Sequence, residues 1–350
     1  MHQFRNDYSE GAHPLILDAL VRTNAEQAVG YTEDAHCARA ASLVLEACEL
    51  DPAEADVRFV VGGTAANVIC LNGLLERPYD AVVCTPDGHI NTHETGALEA
   101  CGHKVLATGD RDGFVSVEEV DAIVRGNAAF GHHMTRPRAI YVSDSTELGG
   151  IYSRARLEEL SDYAHSHDMK LFLDGARLGS ALTSVANDLT LPQIAQLCDA
   201  LYLGGTKNGL LFGEAIVARD PQLRADLPWL MKRHANLLAK GRLLGVQFET
   251  ALEDGLYWEC ARNANRCAAR LREGLLADGW SEWMPSPSNQ LFFEMPPATA
   301  TRFVEECGCE VFIDQGETQV IRFVTSWATT DADVAEALAL SGTLAAGLRG

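Results

Sequence analysis

The chain has 350 residues, of which 47% are hydrophobic and 22% charged, an ordinary composition for a globular protein. This length allows one large domain or two domains of ordinary size, with a sizeable buried core. The 28 basic residues against 49 acidic residues give a net charge of −21. This balance argues against binding to nucleic acid or to anionic membrane surfaces, because basic residues must neutralise their phosphates.

The ten cysteines and the amino-terminal segment favour a cytoplasmic protein. Cys70, Cys84 and Cys198 lie at irregular spacing within apolar runs, as reduced thiols used as small core residues do. Cys307 and Cys309 form a close pair, but no second ligand pair lies at zinc-finger spacing, so no metal is expected there. The first residues lack the features of a signal peptide, and no apolar run is long enough to span a membrane.

Short apolar runs alternate with helical patterns through the first two thirds of the chain. Strands are predicted at 57–61, 80–85, 103–108, 138–143, 170–174, 200–205 and 214–218. Runs that are short, almost continuously apolar and separated by helices are typical of parallel strands buried on both faces. The sequence therefore predicts an α/β domain with a mostly parallel sheet.

The pattern changes after about residue 240. A long helix is predicted at 257–277, then a strand at 289–295, a helix at 298–307, strands at 309–314 and 319–326, and a last helix after Thr330. This order predicts a small α+β domain that packs against the large one. The predicted domains are residues 1–245, with an amino-terminal arm, and residues 246–350.

Asp174 and Lys207 each follow a predicted strand. Asp174 opens the turn DGARLG, and Lys207 lies in the glycine-flanked turn GGTKNG. Taken alone, Asp174 is equally a helix cap and Lys207 an exposed loop lysine. Two successive strands that end in these residues are a much rarer combination, because the carboxyl ends of parallel strands meet at one edge. The pair favours pyridoxal 5′-phosphate, whose aldehyde needs an amine and whose ring nitrogen needs a carboxylate.

A glycine turn and several histidines are further candidates. Gly63 and Thr64 stand between a strand and a helix, where N–H groups can bind an anion, although such turns are common. His89 follows a predicted strand, and its ring could stack on the cofactor; His93 can share a helical face with it. The alternatives are that His89 and His93 are ordinary loop histidines or that they bind a metal. A metal is disfavoured, because no third histidine or carboxylate closely shares their spacing. His133 follows another histidine, and adjacent residues cannot both face one site.

These segments together resemble the low-specificity L-threonine aldolases, in the fold-type I group of pyridoxal-phosphate enzymes. The resemblance runs from FRNDYSEGAHP through VVGGTAANV, DGHINTHETGA, SDSTELGGIY, FLDGARLG and LGGTKNGLLFGEA to IRFVTSWATT. It implies a large cofactor-binding domain with a small carboxyl-terminal domain. It also implies a homotetramer, a dimer of dimers whose active sites are shared between subunits.

The resemblance implies a cofactor role for several residues. Lys207 is the Schiff-base lysine, Asp174 pairs with the pyridinium nitrogen, and His89 stacks on the ring. Gly63 and Thr64 hold the phosphate. Arg242 reaches the phosphate from a neighbouring subunit.

Other residues are implied to contact the substrate. Arg177, which also belongs to the cofactor site, and Arg322 hold the substrate carboxylate through paired hydrogen bonds. Tyr31 approaches from a partner chain, and His133 lies close to the β-hydroxyl. Asn6 replaces a serine of the usual Ser-Asp-Asn signature that helps to hold the carboxylate.

His93 stands where many close relatives have an aspartate near the substrate hydroxyl. Replacing an anion by an imidazole should change the pKa of neighbouring histidines and the polarity of the side-chain pocket.

The expected reaction cleaves an L-β-hydroxy-α-amino acid to glycine and an aldehyde. The substrate is threonine, allo-threonine or a bulkier or more polar relative such as phenylserine. His133 or His93 is the expected base, with His89 as stacking partner and relay. Alternatives are β-elimination, decarboxylation or transamination with the same cofactor, or a non-catalytic binding protein, against which Lys207, Asp174 and Arg177 argue.

Overall fold

The computed structural model describes residues 3–109 and 112–349. The helices are α1 Pro14–Thr23, α2 Ala35–Cys48, α3 Gly63–Leu74, α4 His89–Thr92, α5 Val117–Phe130, α6 Arg154–Ser166, α7 Leu178–Thr183, α8 Leu191–Leu197, α9 Pro221–Arg233, α10 Arg242–Glu253, α11 Leu256–Asp278, α12 Pro297–Cys307 and α13 Asp331–Arg349. The strands are β1 Asp56–Val60, β2 Asp80–Cys84, β3 Lys104–Ala107, β4 Arg136–Ser143, β5 Lys170–Asp174, β6 Ala200–Gly204, β7 Glu214–Ala218, β8 Ser281–Met284, β9 Gln290–Met295, β10 Glu310–Asp314 and β11 Gln319–Val324.

The large sheet has seven strands in the order β1-β7-β6-β5-β4-β2-β3. The strands β3, β2, β4, β5 and β6 pair in parallel, each with its neighbour. β7 is antiparallel to both β1 and β6. The predicted mostly parallel sheet is confirmed. The antiparallel direction of β7 could not be recognised from its composition, because β7 is as buried as its neighbours.

Helices cover both faces of this sheet, because alternate side chains of each strand enter two different cores. On β5, Leu173 belongs to one hydrophobic cluster and Phe172 to the other. Helices α2, α6, α8 and α10 contribute to the first core, and α3 and α9 contribute to the second. Burial on both faces explains why the strands are continuously apolar.

The second sheet is antiparallel, with four strands in the order β10-β11-β9-β8. Its core also contains Phe4, whose backbone bonds to Cys307 and Val324. The predicted boundary at residue 245 falls inside α10, and the division into two domains stays a prediction. Phe248 on α10 belongs to the first core of the large sheet, called the large core below. Leu271 on α11 belongs to the core of the second sheet, called the small core. The division between the cores therefore runs through α11.

Nine of the ten cysteines are buried, and Cys101 is partly exposed. The buried ones belong to the three hydrophobic cores, as expected of thiols used as small apolar residues. Within the described ranges, no helix is both long and apolar enough to cross a membrane.

Candidate active site

A cavity opens at the carboxyl edge of the large sheet, where β4, β5 and β6 end. It is lined by Val61, Gly62, Gly63, Thr64, His89, Ser143, Ser145, Glu147, Asp174, Ala176, Arg177, Tyr202, Thr206, Lys207 and Glu214. Ligands of open α/β sheets bind at this edge. The cavity therefore brings together six of the predicted site residues from distant parts of the sequence.

Asp174 is a buried carboxylate that accepts four hydrogen bonds. Its Oδ2 accepts from the Tyr141 hydroxyl at 2.6 Å and from Asn67 Nδ2 at 2.9 Å. Its Oδ1 accepts from the Tyr202 hydroxyl and from the Ala176 N–H. Burial and then the charge of Asp174 raise the pKa of both tyrosines. Both phenols therefore act as donors, and the carboxylate is fixed where a ring nitrogen can meet it.

His89 lies at the start of α4, with its side chain about one third exposed (37%). Its Nδ1 is 2.7 Å from Glu94 Oε1, and this oxygen also accepts from Asn67 Nδ2 at 2.7 Å. The hydrogen bond that His89 donates to Glu94 raises the pKa of His89, burial opposes the rise, and the charge of Asp174 adds to it. A hydrogen-bonded chain thus joins the histidine to the carboxylate at the end of β5.

Glu147 is a second buried carboxyl group of the cavity. Its Oε1 accepts from the His89 N–H at 2.9 Å and from the Ser143 hydroxyl at 2.7 Å. Burial raises its pKa. These bonds attach the loop that follows β4 to the start of α4, and they fix the backbone of His89.

Lys207 lies in the turn between β6 and β7. Burial lowers its pKa, and the charge of Arg177 lowers it further. Its Nζ is 6.0 Å from the centre of the Tyr8 ring. On β7, burial raises the pKa of Glu214 to about 7. An amine with a lowered pKa is more often unprotonated, which is the form that attacks a carbonyl.

Arg177 contacts the amino-terminal arm. Its Nε donates to Asp7 Oδ2 at 2.7 Å and its Nη2 to Asp7 Oδ1 at 3.1 Å, and Asn289 Nδ2 also donates to Oδ2 at 2.9 Å. Burial would raise the pKa of Asp7, but the charges of Arg177 and Lys207 lower it overall. The guanidinium of Arg177, predicted to bind the substrate carboxylate, therefore lies at the cavity, where it binds the carboxylate of Asp7. Asn6 lies beside it, and its Oδ1 accepts from the Tyr8 N–H.

The turn before α3 has the features of an anion site. No side chain caps the helix start, and Gly62, Gly63 and Thr64 line the cavity. A Cβ at Gly63 would lie 3.1 Å from the Tyr202 hydroxyl, so glycine keeps this space open. The helix start and its N–H groups favour a negatively charged ligand.

His93 and Arg322 lie outside the lining of the cavity. His93 is exposed, and its ring stacks on His89 with centres 5.6 Å apart. Burial and then the charge of His89 lower its pKa, and Arg322 contributes to the lowering. Arg322 Nη2 donates to Glu310 Oε2 at 2.6 Å. His93 is therefore within electrostatic reach of His89 and Lys207 in the cavity, and Arg322 is within reach of His93.

His133 lies away from the cavity of its own chain, and its assignment to the β-hydroxyl stays a prediction. It is exposed, in a short 3-10 turn at the amino end of β4, and stacks on His132. The cavity lies at the opposite, carboxyl end of the same strand. Eight residues of extended chain separate the two ends.

Tyr31 and Arg242 also lie away from the cavity of their own chain. Arg242 donates to the carbonyl oxygens of Thr23 and Asn24, at 2.6 and 3.1 Å. Tyr31 is exposed, with Lys232 Nζ 4.9 Å from its ring centre. Their predicted contribution from a second copy stays a prediction.

Tertiary contacts add residues that sequence reasoning missed: Asp7, Asn67, Glu94, Tyr141, Glu147, Tyr202 and Glu214. One sequence signal existed, since Glu94 lies five residues after His89. Among residues 3–109 and 112–349, no three metal-binding side chains are grouped so as to hold a metal ion.

Comparisons of the sequence agree with this site. A family model described as beta-eliminating lyase matches residues 3–295. The low-specificity L-threonine aldolase of Pseudomonas sp. (strain NCIMB 10558) is 31% identical over 342 residues, which cover 95% of each chain. The enzyme of the same name from Pseudomonas aeruginosa is 30% identical over 332 residues, with 93% of each chain covered.

Comparisons of the structure agree as well. A threonine aldolase from Leishmania major superposes with a TM-score of 0.95 at 41% identity, covering 99% of this chain and 100% of that one. A mutant aspartate aminotransferase from Thermus thermophilus superposes with a TM-score of 0.69 at 19% identity, over 96% of this chain and 89% of that one. The second match concerns the fold alone, and the two together confirm the predicted fold-type I architecture.

Proposed function

Because the chain belongs to the beta-eliminating lyase family and to its low-specificity L-threonine aldolases, we propose that it cleaves L-β-hydroxy-α-amino acids such as threonine to glycine and an aldehyde with pyridoxal phosphate. The observation that carries the proposal is one cavity with an amine, a buried carboxylate and an uncapped helix start. These three features match the three ends of that cofactor.

The donors of the cavity fit pyridoxal phosphate. The uncapped start of α3 suits the phosphate, and the space kept open at Gly63 allows a close approach. Asp174 suits the ring nitrogen, His89 can cover the ring, and the amine of Lys207 suits the aldehyde. When bound, the cofactor would hold the substrate amine and accept the electron pair of the bond that breaks.

Arg177 would orient the substrate through its carboxylate. Its guanidinium already holds a carboxylate in paired hydrogen bonds, that of Asp7. A substrate carboxylate would share or replace this contact, with Arg322 approaching from the small domain. Fixing the carboxylate turns the Cα–Cβ bond toward the orientation in which it breaks.

The test is product analysis with purified protein, L-threonine and pyridoxal phosphate. We expect acetaldehyde and glycine in equal amounts, and a visible absorption band from the lysine-bound cofactor. Lys207→Ala should lose both the band and the covalent linkage. A keto acid, ammonia or carbon dioxide in place of the aldehyde would refute the proposed reaction in favour of one of its alternatives.

The preferred side chain is a finer part of the proposal. His93 places an imidazole at the edge of the site, with a pKa lowered by burial and by His89. An imidazole with a lowered pKa is more often neutral, and it should favour bulkier or more polar substrate side chains than an aspartate does. In a panel with threonine, allo-threonine, phenylserine and hydroxyaspartate, His93→Asp should raise the relative rate on threonine. An unchanged ratio would remove this argument.

We also infer a homotetramer in which a neighbour supplies Tyr31 and Arg242. The support is that neither residue reaches the cavity of its own chain. Light scattering on the eluting protein measures the assembly. A monomer that is fully active would contradict the shared site.

A further inference from the structure

Glu94 is a carboxylate enclosed by the protein next to the cavity. Its side chain has no exposed surface, and its ion-pair partner is His89, whose Nδ1 is 2.7 Å from Oε1. Its Oε2 has no partner among the described residues. A charge buried in this way favours a neighbour that carries the opposite charge. The surroundings of His89 therefore favour a proton on this histidine.

The other charged groups around His89 act in both directions. Asp174 favours the protonated ring, whereas Lys207 and the stacked His93 oppose it, and Glu147 bonds to the backbone N–H. The net result is a raised pKa for His89, with the hydrogen bond to Glu94 as the largest cause. The pKa of His93 moves the opposite way. The stacked pair therefore contains one histidine that gains a proton readily and one that does not.

The bond to Glu94 also decides which nitrogen exchanges the proton. Because Nδ1 faces a carboxylate, it carries hydrogen whether the ring is neutral or charged. Proton exchange is then left to Nε2. Asn67 Nδ2 contacts both Glu94 Oε1 and Asp174 Oδ2, at 2.7 and 2.9 Å, so the ring is held in a fixed relation to the end of β5.

We propose that Glu94 is a positioning residue that orients His89 and makes His89 Nε2 the atom that takes the proton of the substrate β-hydroxyl. The inference rests on the proposed function and assigns the role of the base to His89 rather than to His133 or His93. As the Cα–Cβ bond breaks, His89 Nε2 would hold the hydroxyl proton, the O–H electrons would form the aldehyde C=O, and the cofactor, when bound, would supply the acceptor for the Cα–Cβ electron pair. A proton then takes the place of Cβ on Cα to give glycine, so none is consumed overall.

The test compares holoenzyme variants at position 94. Glu94→Gln keeps an oxygen acceptor and removes the charge, so His89 should hold its proton less tightly. The acid limb of kcat/KM for L-threonine should move to lower pH, and kcat should fall by up to about a hundredfold, the lower range of general acid–base effects. Glu94→Asp keeps the charge and should retain the wild-type acid limb. NMR of ¹⁵N-histidine-labelled holoenzyme, with the His89 signal identified from His89→Asn, should show the same shift directly.

Glu99→Gln is the matched control, because Glu99 is an exposed carboxylate a few residues after Glu94 in the chain. It makes the same charge change without a bond to His89 and should leave both readouts at wild-type values. An acid limb and a His89 titration that stay unmoved in Glu94→Gln, in a protein that cleaves threonine, would overturn the inference and leave the proposed function standing. Wild-type protein that releases no aldehyde would defeat the proposed function itself, whatever the His89 titration shows.

Discussion

At the scale of single residues, Asp174 depends on neighbours from three other elements. Tyr141 on β4, Tyr202 on β6 and Asn67 on α3 all donate to it. A hydrogen bond to a charged group contributes about 1.5–3 kcal/mol, roughly twice a neutral one. The carboxylate is therefore placed before any ligand arrives.

Removing one of these donors should destabilise the fold. Tyr202→Phe should lower the free energy of unfolding by about 1.5–3 kcal/mol, because a buried carboxylate loses a donor. Urea denaturation followed by circular dichroism measures the change. Tyr152→Phe is the control, since among the described residues its buried hydroxyl accepts from the neutral Val115 N–H, and its loss should cost about 1 kcal/mol. Equal losses in the two variants would speak against a special role for the bond to Asp174.

The site residues that could be predicted from the sequence are those that directly follow a predicted strand. Asp174 and Lys207 follow predicted strands, and parallel strands bring their ends together. Asn67 is different, because its bonds to Glu94 and Asp174 span 27 and 107 residues of sequence. The position of His133 just before β4 puts it at the amino end of that strand, away from the cavity of its own chain.

At the scale of elements, the strands of the large sheet were the best predicted, because burial on both faces forces continuous apolar runs. β8 was missed, since Ser281–Met284 is an edge strand whose residues are partly exposed. The amino-terminal arm was assigned a role only through the resemblance. Its Asp7 reaches Arg177 at the start of α7, a contact across 170 residues that no local pattern reveals.

Breaking the contact between the arm and α7 should weaken the protein. Asp7→Asn leaves the buried Arg177 without its anion, and the loss should be about 3 kcal/mol at pH 7. The folded pKa of Asp7 is lowered from 3.8. The stability gained from the pair is therefore present above pH 3.8 and is lost as the pH falls through the lower folded value. Urea denaturation of both proteins at pH 7 and pH 3 should show a smaller difference at pH 3; a constant difference would contradict the ion-pair explanation.

At the scale of the whole molecule, the helix α11 contributes to both the large core and the small core, and the short amino-terminal arm connects the small core with the cavity. α11 contributes Tyr257 to the large core and Leu271 to the small core. A boundary taken from the change of pattern near residue 240 could not place this division, because a helix that serves two cores has one unbroken periodicity. The arm contributes Phe4 to the small core and Asp7 to the cavity.

Shortening the side chain of Phe4, the residue of the arm that packs in the small core, should therefore affect both the stability of the fold and the cavity. Phe4→Ala removes a fully buried ring and should lower the free energy of unfolding by about 3–5 kcal/mol. It should also raise the KM for threonine, because the arm holds Asp7 where its ion pair orients the Arg177 guanidinium that the substrate carboxylate shares. Denaturation and steady-state kinetics on the same preparation check both effects. Phe130→Ala, at an exposed ring, is the control and should change neither; a matching loss there would contradict the role given to the arm.

The arm also bears on how the protein can be attached to a solid support for preparative synthesis. Phe4 and Asp7 are buried, so a linkage to a resin through the side chain of either residue would disturb the ion pair with Arg177. Leu348 on the last helix is exposed at the surface. Immobilisation through a side chain at position 348 should leave the cavity undisturbed.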